Sequence, residues 1–178
     1  MDSRRLATEA TRERIVDSAL DAFLTGWYDE VTLQEIARRA GVSTQTVLNH
    51  FGGKEPVFAA AADRFSEQIA ERRETPGGDV AAAIEALVGD YEVTGDAVIR
   101  LLALEEKVES ARPLLARGRA RHRDWVERTF ARPDLANELV VATDVYAWKL
   151  LRRDQGLSRE ATRESITRIV RALLEATP

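Results

Sequence analysis

The chain of 178 residues contains no cysteine. Disulfide bonds, thiolate metal sites and cysteine nucleophiles are therefore excluded, although this absence says little about the cellular compartment. Histidine is nearly as scarce: there are only two, His50 and His122, and no His-x-x-x-His or Glu-x-x-His spacing indicates a metal site. There is also no Gly-x-Ser-x-Gly elbow and no phosphate-binding glycine loop. The sequence thus predicts neither an enzyme nor a bound metal or cofactor.

Long apolar runs are also missing. No stretch approaches the ~20 apolar residues that a membrane-spanning helix needs. The first five residues, MDSRR, lack the apolar core of a signal peptide. We therefore expect a cytoplasmic protein with no membrane partner.

Glycine and proline are few, at 10 and 5 residues, and the chain is rich in Ala, Leu, Glu and Arg. This composition favours an all-α fold, and the length is sufficient to bury a core. The spacing of apolar residues and of breaking residues predicts about nine helices. Their expected ends lie near Thr25, Ala40, Phe51, Arg73, Val93, residue 112, Phe130, Arg153 and Ala176.

Residues 32–55 have the spacing of a helix-turn-helix. Thr32 and Glu35 form the pattern of a capping box, which marks a helix start. Gly41 stands where the chain must turn back with a positive φ, and Ser43 is a good N-cap for a second helix. Val47 and Phe51 lie four residues apart and are expected to face inward.

The other side chains of the second helix are short, planar or polar, which suits base edges and phosphate oxygens: Thr44, Gln45, Thr46, Leu48, Asn49 and His50. Gln and Asn can pair bidentately with adenine, and an apolar side chain can contact a thymine methyl. Lys54 is expected at the start of the following helix, where its ammonium and backbone N–H groups could share a phosphate. This pattern predicts binding to double-stranded DNA.

Residues 12–58 resemble the N-terminal domain of TetR/AcrR-type transcriptional regulators. The resemblance is carried by Arg14-Ile15-Val16, Ala19, Phe23, Gly26, Thr32, Ile36-Ala37, Ala40-Gly41-Val42-Ser43, Thr46, Phe51-Gly52 and Lys54-Glu55. It implies a three-helix DNA-binding head whose third helix enters the major groove. It also implies a dimeric repressor that a small molecule releases from a palindromic operator. Leu48 departs from the aromatic residue usual in the family, and Gln45 replaces a residue that is often small.

The net charge of −4 argues at first against a nucleic-acid partner. The distribution of charge answers this objection, because Arg4 and Arg5 lie in an N-terminal arm while Arg38, Arg39 and Lys54 flank the second helix of the motif. The predicted DNA-binding residues are Arg4, Arg5, Thr32, Ser43, Thr44, Gln45, Thr46, Leu48, Asn49, His50 and Lys54. The alternative is a helical interaction module whose head no longer binds DNA, for which Leu48 is the only support.

We expect two domains, a DNA-binding domain over residues 1–54 and a helical regulatory and dimerisation domain over residues 55–178. The helix predicted over 134–153 is apolar on more than one side, which indicates either a second subunit or a central place within one subunit. The predicted homodimer interface comprises Leu139, Tyr146, Leu150, Ile166, Ile169, Val170 and Leu173.

An effector pocket is expected among the fourth to eighth predicted helices. Its candidate lining residues are apolar or have polar tips: Phe58, Phe65, Tyr91, Leu102, Trp125 and Tyr146. The same residues are also consistent with an ordinary core. His122 and the arginines of residues 117–123 could meet an anionic ligand or pair with nearby acids, and the sequence leaves these alternatives open.

Overall fold

The structure, a computed structural model, describes residues 2–75, 77–109 and 111–176, with side chains from residue 5 onward. The described residues form helices and connecting turns and no β-strand. The α-helices are α1 Asp2–Thr25, α2 Leu33–Ala40, α3 Thr44–Phe51, α4 Lys54–Arg72, α5 Val80–Leu102, α6 Ala111–Phe130, α7 Ala136–Thr143, α8 Val145–Lys149 and α9 Arg159–Glu175. A 3₁₀ turn at Pro133–Leu135 precedes α7, and a π-helical turn at Leu150–Asp154 follows α8. The all-α prediction is confirmed.

The chain divides into two compact units. Unit 1 comprises residues 1–68 with 104–114, and unit 2 comprises residues 69–103 with 115–178. Within the described residues, no helix carries an apolar segment long enough to traverse a lipid bilayer.

The core of unit 1 is built by the apolar faces of α1 to α4. The stripe predicted on α1 is buried, at Ile15, Ala19, Ala22 and Phe23. Phe23, Tyr28 and Phe58 form an aromatic cluster whose ring centroids lie 5.0 to 5.8 Å apart. This cluster fixes the loop between α1 and α2, and therefore the place where α2 begins.

Unit 2 packs α5 against α8 and α9 around the buried Trp148. The sequence predicts a turn at Gly95-Asp96, but α5 continues unbroken from Val80 to Leu102. Gly95 instead lets the Trp148 ring pack directly against the α5 backbone, because a Cβ atom at this position would lie 2.4 Å from Cζ3 of Trp148. The prediction of two helices over residues 79–112 is therefore wrong at this point.

The long helix predicted to end at Arg153 is also divided. The backbone of Asp144 is extended (φ −67°, ψ 152°), and its carboxylate accepts a hydrogen bond of 2.8 Å from the Tyr146 N–H. Asp144 thus caps α8 and ends α7, as Asp commonly does at helix N-termini.

Three of the predicted interface residues belong to the subunit's own core. Leu139, Ile166 and Val170 are fully buried and pack with the α5 side chains Ile84 and Leu87. A side chain with no exposed surface cannot contact a second subunit directly, so the interface prediction is corrected at these three positions. The apolar stripe of α9 faces inward at Ile166 and Val170, whereas Ile169 is exposed.

Candidate nucleic-acid interface

The turn between α2 and α3 forms as the sequence predicts. Gly41 adopts a left-handed conformation (φ +66°), and the N–H of Val42 donates to the carbonyl of Ala37 at 3.0 Å. This six-to-one hydrogen bond is that of a Schellman motif, which reverses the chain at a helix end. Ser43 then caps α3 by accepting from the Thr46 N–H at 3.1 Å.

The cap of α2 differs in one respect from the predicted capping box. Thr32 Oγ1 accepts from the Glu35 N–H at 3.2 Å, as predicted. The Glu35 carboxylate binds Arg38 and Arg39 instead of reaching back to the cap, with N–O distances of 2.7 Å. Hydrogen bonds from these two guanidinium groups lower the pKa of Glu35 to about 2. The Thr32 backbone N–H therefore does not receive the carboxylate that a complete capping box would supply.

Helix α3 is anchored on one side only. Val47 is completely buried, and Phe51 is half-buried with the Arg12 guanidinium 5.0 Å from its ring centre. Gln45 and Asn49 are exposed. The remaining predicted contact residues of the helix are partly exposed: Thr44, Thr46, Leu48 and His50. The helix thus presents a polar face that the core does not use, as a groove-binding helix must.

Two hydrogen bonds order this exposed face. The Gln45 side-chain amide donates to Asn49 Oδ1 at 2.9 Å. The hydroxyl groups of Ser43 and Thr46 lie 2.9 Å apart and share one hydrogen bond. The amides and hydroxyls proposed for DNA contact therefore start from defined positions.

Lys54 begins α4, but its ammonium is already engaged. It donates to the Tyr28 carbonyl and lies 4.4 Å from the centre of the Tyr28 ring. Partial burial lowers the pKa of Lys54, while Asp29 raises it. An ammonium has three N–H donors, so a phosphate contact at Lys54 would use a donor beyond the one bound to Tyr28.

The predicted N-terminal arm is part of α1, which begins at Asp2. Arg5 is exposed on this extension, whereas the Arg4 side chain lies outside the described residues. Sequence reasoning missed Arg12, whose contact with Phe51 joins α1 to the recognition helix. It also missed Arg64 of α4, which binds Glu13 and Asp17 of α1.

The six candidate effector-site residues are divided between the two units. Phe58 and Phe65 are buried in unit 1, and the other four lie in unit 2. Of these four, Tyr146 is exposed, Leu102 is partly exposed, and Tyr91 and Trp125 are buried. Tyr91 and Trp125 are brought together by a buried arginine that the sequence did not indicate.

That arginine, Arg73, organises a buried polar cluster in unit 2. Its guanidinium lies 4.5 Å from the Tyr91 ring centre and 5.9 Å from that of Trp125. It also binds the fully buried carboxylate of Asp90 at 2.6 Å, and Arg72 binds the same carboxylate at 2.7 Å. The end of α4 is thereby fastened to α5 through a carboxylate with no exposed surface, which pairs with the buried Arg73 and with Arg72, whose side chain is 35% exposed.

His122 completes this cluster as a neutral ring. Thr143 Oγ1 donates to the Leu139 carbonyl at 2.7 Å, so it accepts from His122 Nε2 at 3.1 Å. The other ring nitrogen, Nδ1, then faces Arg73 at 3.4 Å as an acceptor. Burial, followed by the charge of Arg73, lowers the pKa of His122 to about 3.

Of the predicted interface residues, Tyr146, Leu150 and Ile169 are exposed, and Leu173 is partly buried. Val141, which was not in the predicted set, is the most exposed of the large apolar side chains in α7 to α9. The expectation that the helix over residues 134–153 is apolar on more than one side was the only signal for it.

Comparison with known proteins identifies the family of the N-terminal domain. Residues 15–61 match the model for bacterial regulatory proteins of the tetR family. The chain is 45% identical over 60 residues to the HTH-type transcriptional regulator SrpR of Pseudomonas putida, covering 33% of this chain and 28% of SrpR. It is 33% identical over 87 residues to AlkX of Mycobacterium tuberculosis, covering 47% of this chain and 38% of AlkX. The alignments therefore span well under half of these relatives.

The fold also resembles that of a solved structure. A tetR-family transcriptional regulator from Streptomyces coelicolor superposes with a TM-score of 0.69 at 23% identity, covering 93% of this chain and 79% of that one. These relatives are transcriptional regulators, in agreement with the expectation that the chain is not an enzyme. Residues 15–61 thus carry the N-terminal domain of the TetR family of bacterial regulatory proteins.

Proposed function

We propose that the protein is a sequence-specific DNA-binding transcriptional regulator, with residues 1–54 as its DNA-binding domain and residues 55–178 as its regulatory and dimerisation domain. The observation that carries this proposal is the exposed polar face of α3. Val47 holds the helix to the core from one side, while Gln45 and Asn49 stand exposed on it. A core helix would bury such a face or pair it with neighbouring elements.

The proposed contacts divide into two kinds. Base edges are assigned to Gln45, Leu48 and Asn49 on the exposed face of α3. Phosphates are assigned to the hydroxyl, imidazole and cationic side chains around it: Arg4, Arg5, Thr32, Ser43, Thr44, Thr46, His50 and Lys54. Phosphate contacts fix the register on the duplex, and base contacts carry the sequence information.

We propose a second copy of the chain as the partner of α7 to α9. Four large apolar side chains in this region are exposed in the monomer: Val141 by 70%, Tyr146 by 56%, Leu150 by 51% and Ile169 by 47%. Isolated exposed apolar residues are common, but several in one region mark an interaction surface. A two-fold dimer would place two recognition helices on half-sites roughly 34–36 Å apart or a multiple of that spacing.

The proposed mode of regulation is taken from the resemblance to the TetR family. We propose a repressor that leaves its palindromic operator when a small-molecule effector binds the domain over residues 55–178. Such a protein acts where the chromosome is, so we place it in the cytoplasm.

Selection of bound fragments from a random pool of duplexes tests the DNA-binding proposal. We expect enrichment of a two-fold symmetric site. Substituting Gln45 or Asn49 by Ala removes a bidentate base contact and should reduce discrimination between that site and random DNA by about 1–3 kcal/mol. Enrichment of unrelated fragments without symmetry would instead support an interaction module that no longer reads DNA.

Light scattering tests the dimer. The double variant Leu150→Glu with Ile169→Glu should be monomeric, because it places two charges in the proposed interface. Val93→Glu is the matched control, since Val93 is also an exposed apolar residue of unit 2, 77% accessible, but lies on α5 outside the proposed surface. A double variant that stays dimeric, or a control that dissociates, would place the interface elsewhere.

A further inference from the structure

The exposed face of α3 holds two amide side chains that bind each other. Gln45 and Asn49 lie one helical turn apart, and the Gln45 amide N–H donates to Asn49 Oδ1 at 2.9 Å. Four residues of an α-helix rise about 6 Å, and successive base pairs rise about 3.4 Å. The two amides therefore reach base pairs that are neighbours or one step further apart.

The hydrogen bond leaves each amide able to make a complete bidentate contact. Gln45 keeps its Oε1 acceptor and its second N–H donor, while Asn49 keeps both N–H donors and the second lone pair of Oδ1. An acceptor beside a donor is the complement of the adenine edge, which offers the N6 donor and the N7 acceptor. Guanine offers two acceptors to the major groove, so it would leave the amide oxygens unpaired.

The charged side chains that most often read G·C pairs are missing from the same helix. Guanine is most often read by Arg or Lys, and cytosine by Asp or Glu, and the sequence of α3, TQTVLNHF, contains none of these four. The nearest cations on α2, Arg38 and Arg39, are bound to Glu35. The ammonium of Lys54 is bound to Tyr28.

Leu48 supplies the apolar part of the same surface. It is partly exposed, follows Gln45 by three residues and so lies on the same side of the helix. The partner of an adenine is a thymine, whose methyl group stands in the major groove. An aliphatic side chain beside two amides matches that methyl group better than it matches the unsubstituted edge of cytosine.

From this arrangement we infer that the Gln45–Asn49 pair reads two A·T base pairs in each half-site and that Leu48 contacts a thymine methyl between them. The inference rests on the proposed function, because it specifies the DNA that the proposed interface takes. Leu48 is then a specificity-determining residue that reads a base, in place of the aromatic side chain usual at this position.

Nucleotide analogues in a duplex obtained by selection test the inference. Replacing an adenine of the half-site by 7-deazaadenine removes the N7 acceptor, and at the two positions read by the amides we expect affinity to fall about 5- to 150-fold. Replacing the thymine beside Leu48 by uracil removes one methyl group and should weaken binding about fourfold. 2,6-Diaminopurine in place of adenine is the matched control, because it changes only the minor-groove edge.

The protein variants link each effect to its side chain. Leu48→Ala should bind the thymine and uracil duplexes equally, and Asn49→Ala should lose most of the sensitivity to 7-deazaadenine at one position. Specific binding to a selected site with G·C pairs at these positions, or a Leu48→Ala variant that still prefers thymine, would overturn the inference and leave the proposed function intact. Failure to enrich any duplex would instead reject the proposed function, and the inference with it.

Discussion

Asp90 provides the sharpest test of how unit 2 is held together. Its carboxylate is fully buried and binds Arg72 at 2.7 Å and Arg73 at 2.6 Å. Asp90→Asn keeps the size of the side chain but removes its charge, which leaves the buried guanidinium of Arg73 without a counter-ion. Removing one partner of a buried ion pair costs about 3–5 kcal/mol. That is a large part of a domain stability of about 5–15 kcal/mol.

Asp96→Asn is the control for this substitution. Asp96 lies on the same helix and also binds an arginine, Arg153 at 3.0 Å, but its side chain is 57% exposed. Exposed ion pairs contribute about 0–1 kcal/mol. The two variants therefore make the same chemical change on one helix and differ in burial and in the number of arginines bound, two at Asp90 and one at Asp96.

Urea unfolding followed by tryptophan fluorescence measures both variants, because Trp125 and Trp148 are buried in unit 2. All proteins are compared at the same concentration, since dimerisation would add to the apparent stability. We expect Asp90→Asn to lose at least about 2 kcal/mol more than Asp96→Asn. Equal losses in the two variants would refute the argument that the end of α4 is fastened by a buried ion pair.

Two further predictions concern the same unit. The pKa of His122 is lowered to about 3 in the folded protein. Below pH 6.5 the unfolded chain therefore binds more protons at this residue than the folded protein does, and the free energy of unfolding falls as the pH drops. The loss at pH 5 is roughly 2 kcal/mol. His122→Gln should remove that pH dependence, and His50→Gln should not. Urea unfolding at pH 5 and pH 7 measures both variants. An equal change in the free energy of unfolding between the two pH values in the two variants would contradict this. Gly95→Ala should cost about 1–3 kcal/mol through overpacking against Trp148, whereas Gly118→Ala, with open space around its Cβ, should gain up to about 1 kcal/mol; thermal unfolding that ranks them in the opposite order would exclude the close approach.

Features encoded by a few adjacent residues could be predicted from the sequence. Thr32 and Ser43 cap α2 and α3 as expected, since each accepts a hydrogen bond from the backbone N–H of the third residue of its helix. The turn at Gly41 was predictable for the same reason. These local signals were sufficient to place the exposed face of α3.

Features that depend on distant partners were not predictable in this way. Gly95 has the composition of a turn, and only the ring of Trp148 against it explains an unbroken α5. Arg73 directly follows α4 and Asp90 lies 17 residues further on, in α5, so no local spacing signals that they pair. Lys54 was assigned to phosphate without its contact to Tyr28 for the same reason.

The apolar stripe of α9 shows a second limit of prediction from sequence. Ile166, Ile169 and Val170 share one helical periodicity, yet the first and last are buried in the subunit and the middle one is exposed. Periodicity identifies an apolar face but not the partner that covers it. Only the packing of α5 against α9 distinguishes the side chains that are buried within the subunit from the one that is exposed.

Sequence-specific binding of duplex DNA through α3 is the property on which the proposed function depends. The direct measurement is the affinity of the purified protein for its selected duplex and for a shuffled duplex of the same composition, by fluorescence anisotropy at physiological salt. We expect the selected duplex to bind at least about a thousandfold more tightly, with the preference reduced in Asn49→Ala. Equal affinity for the two duplexes in the wild-type protein would contradict the central claim.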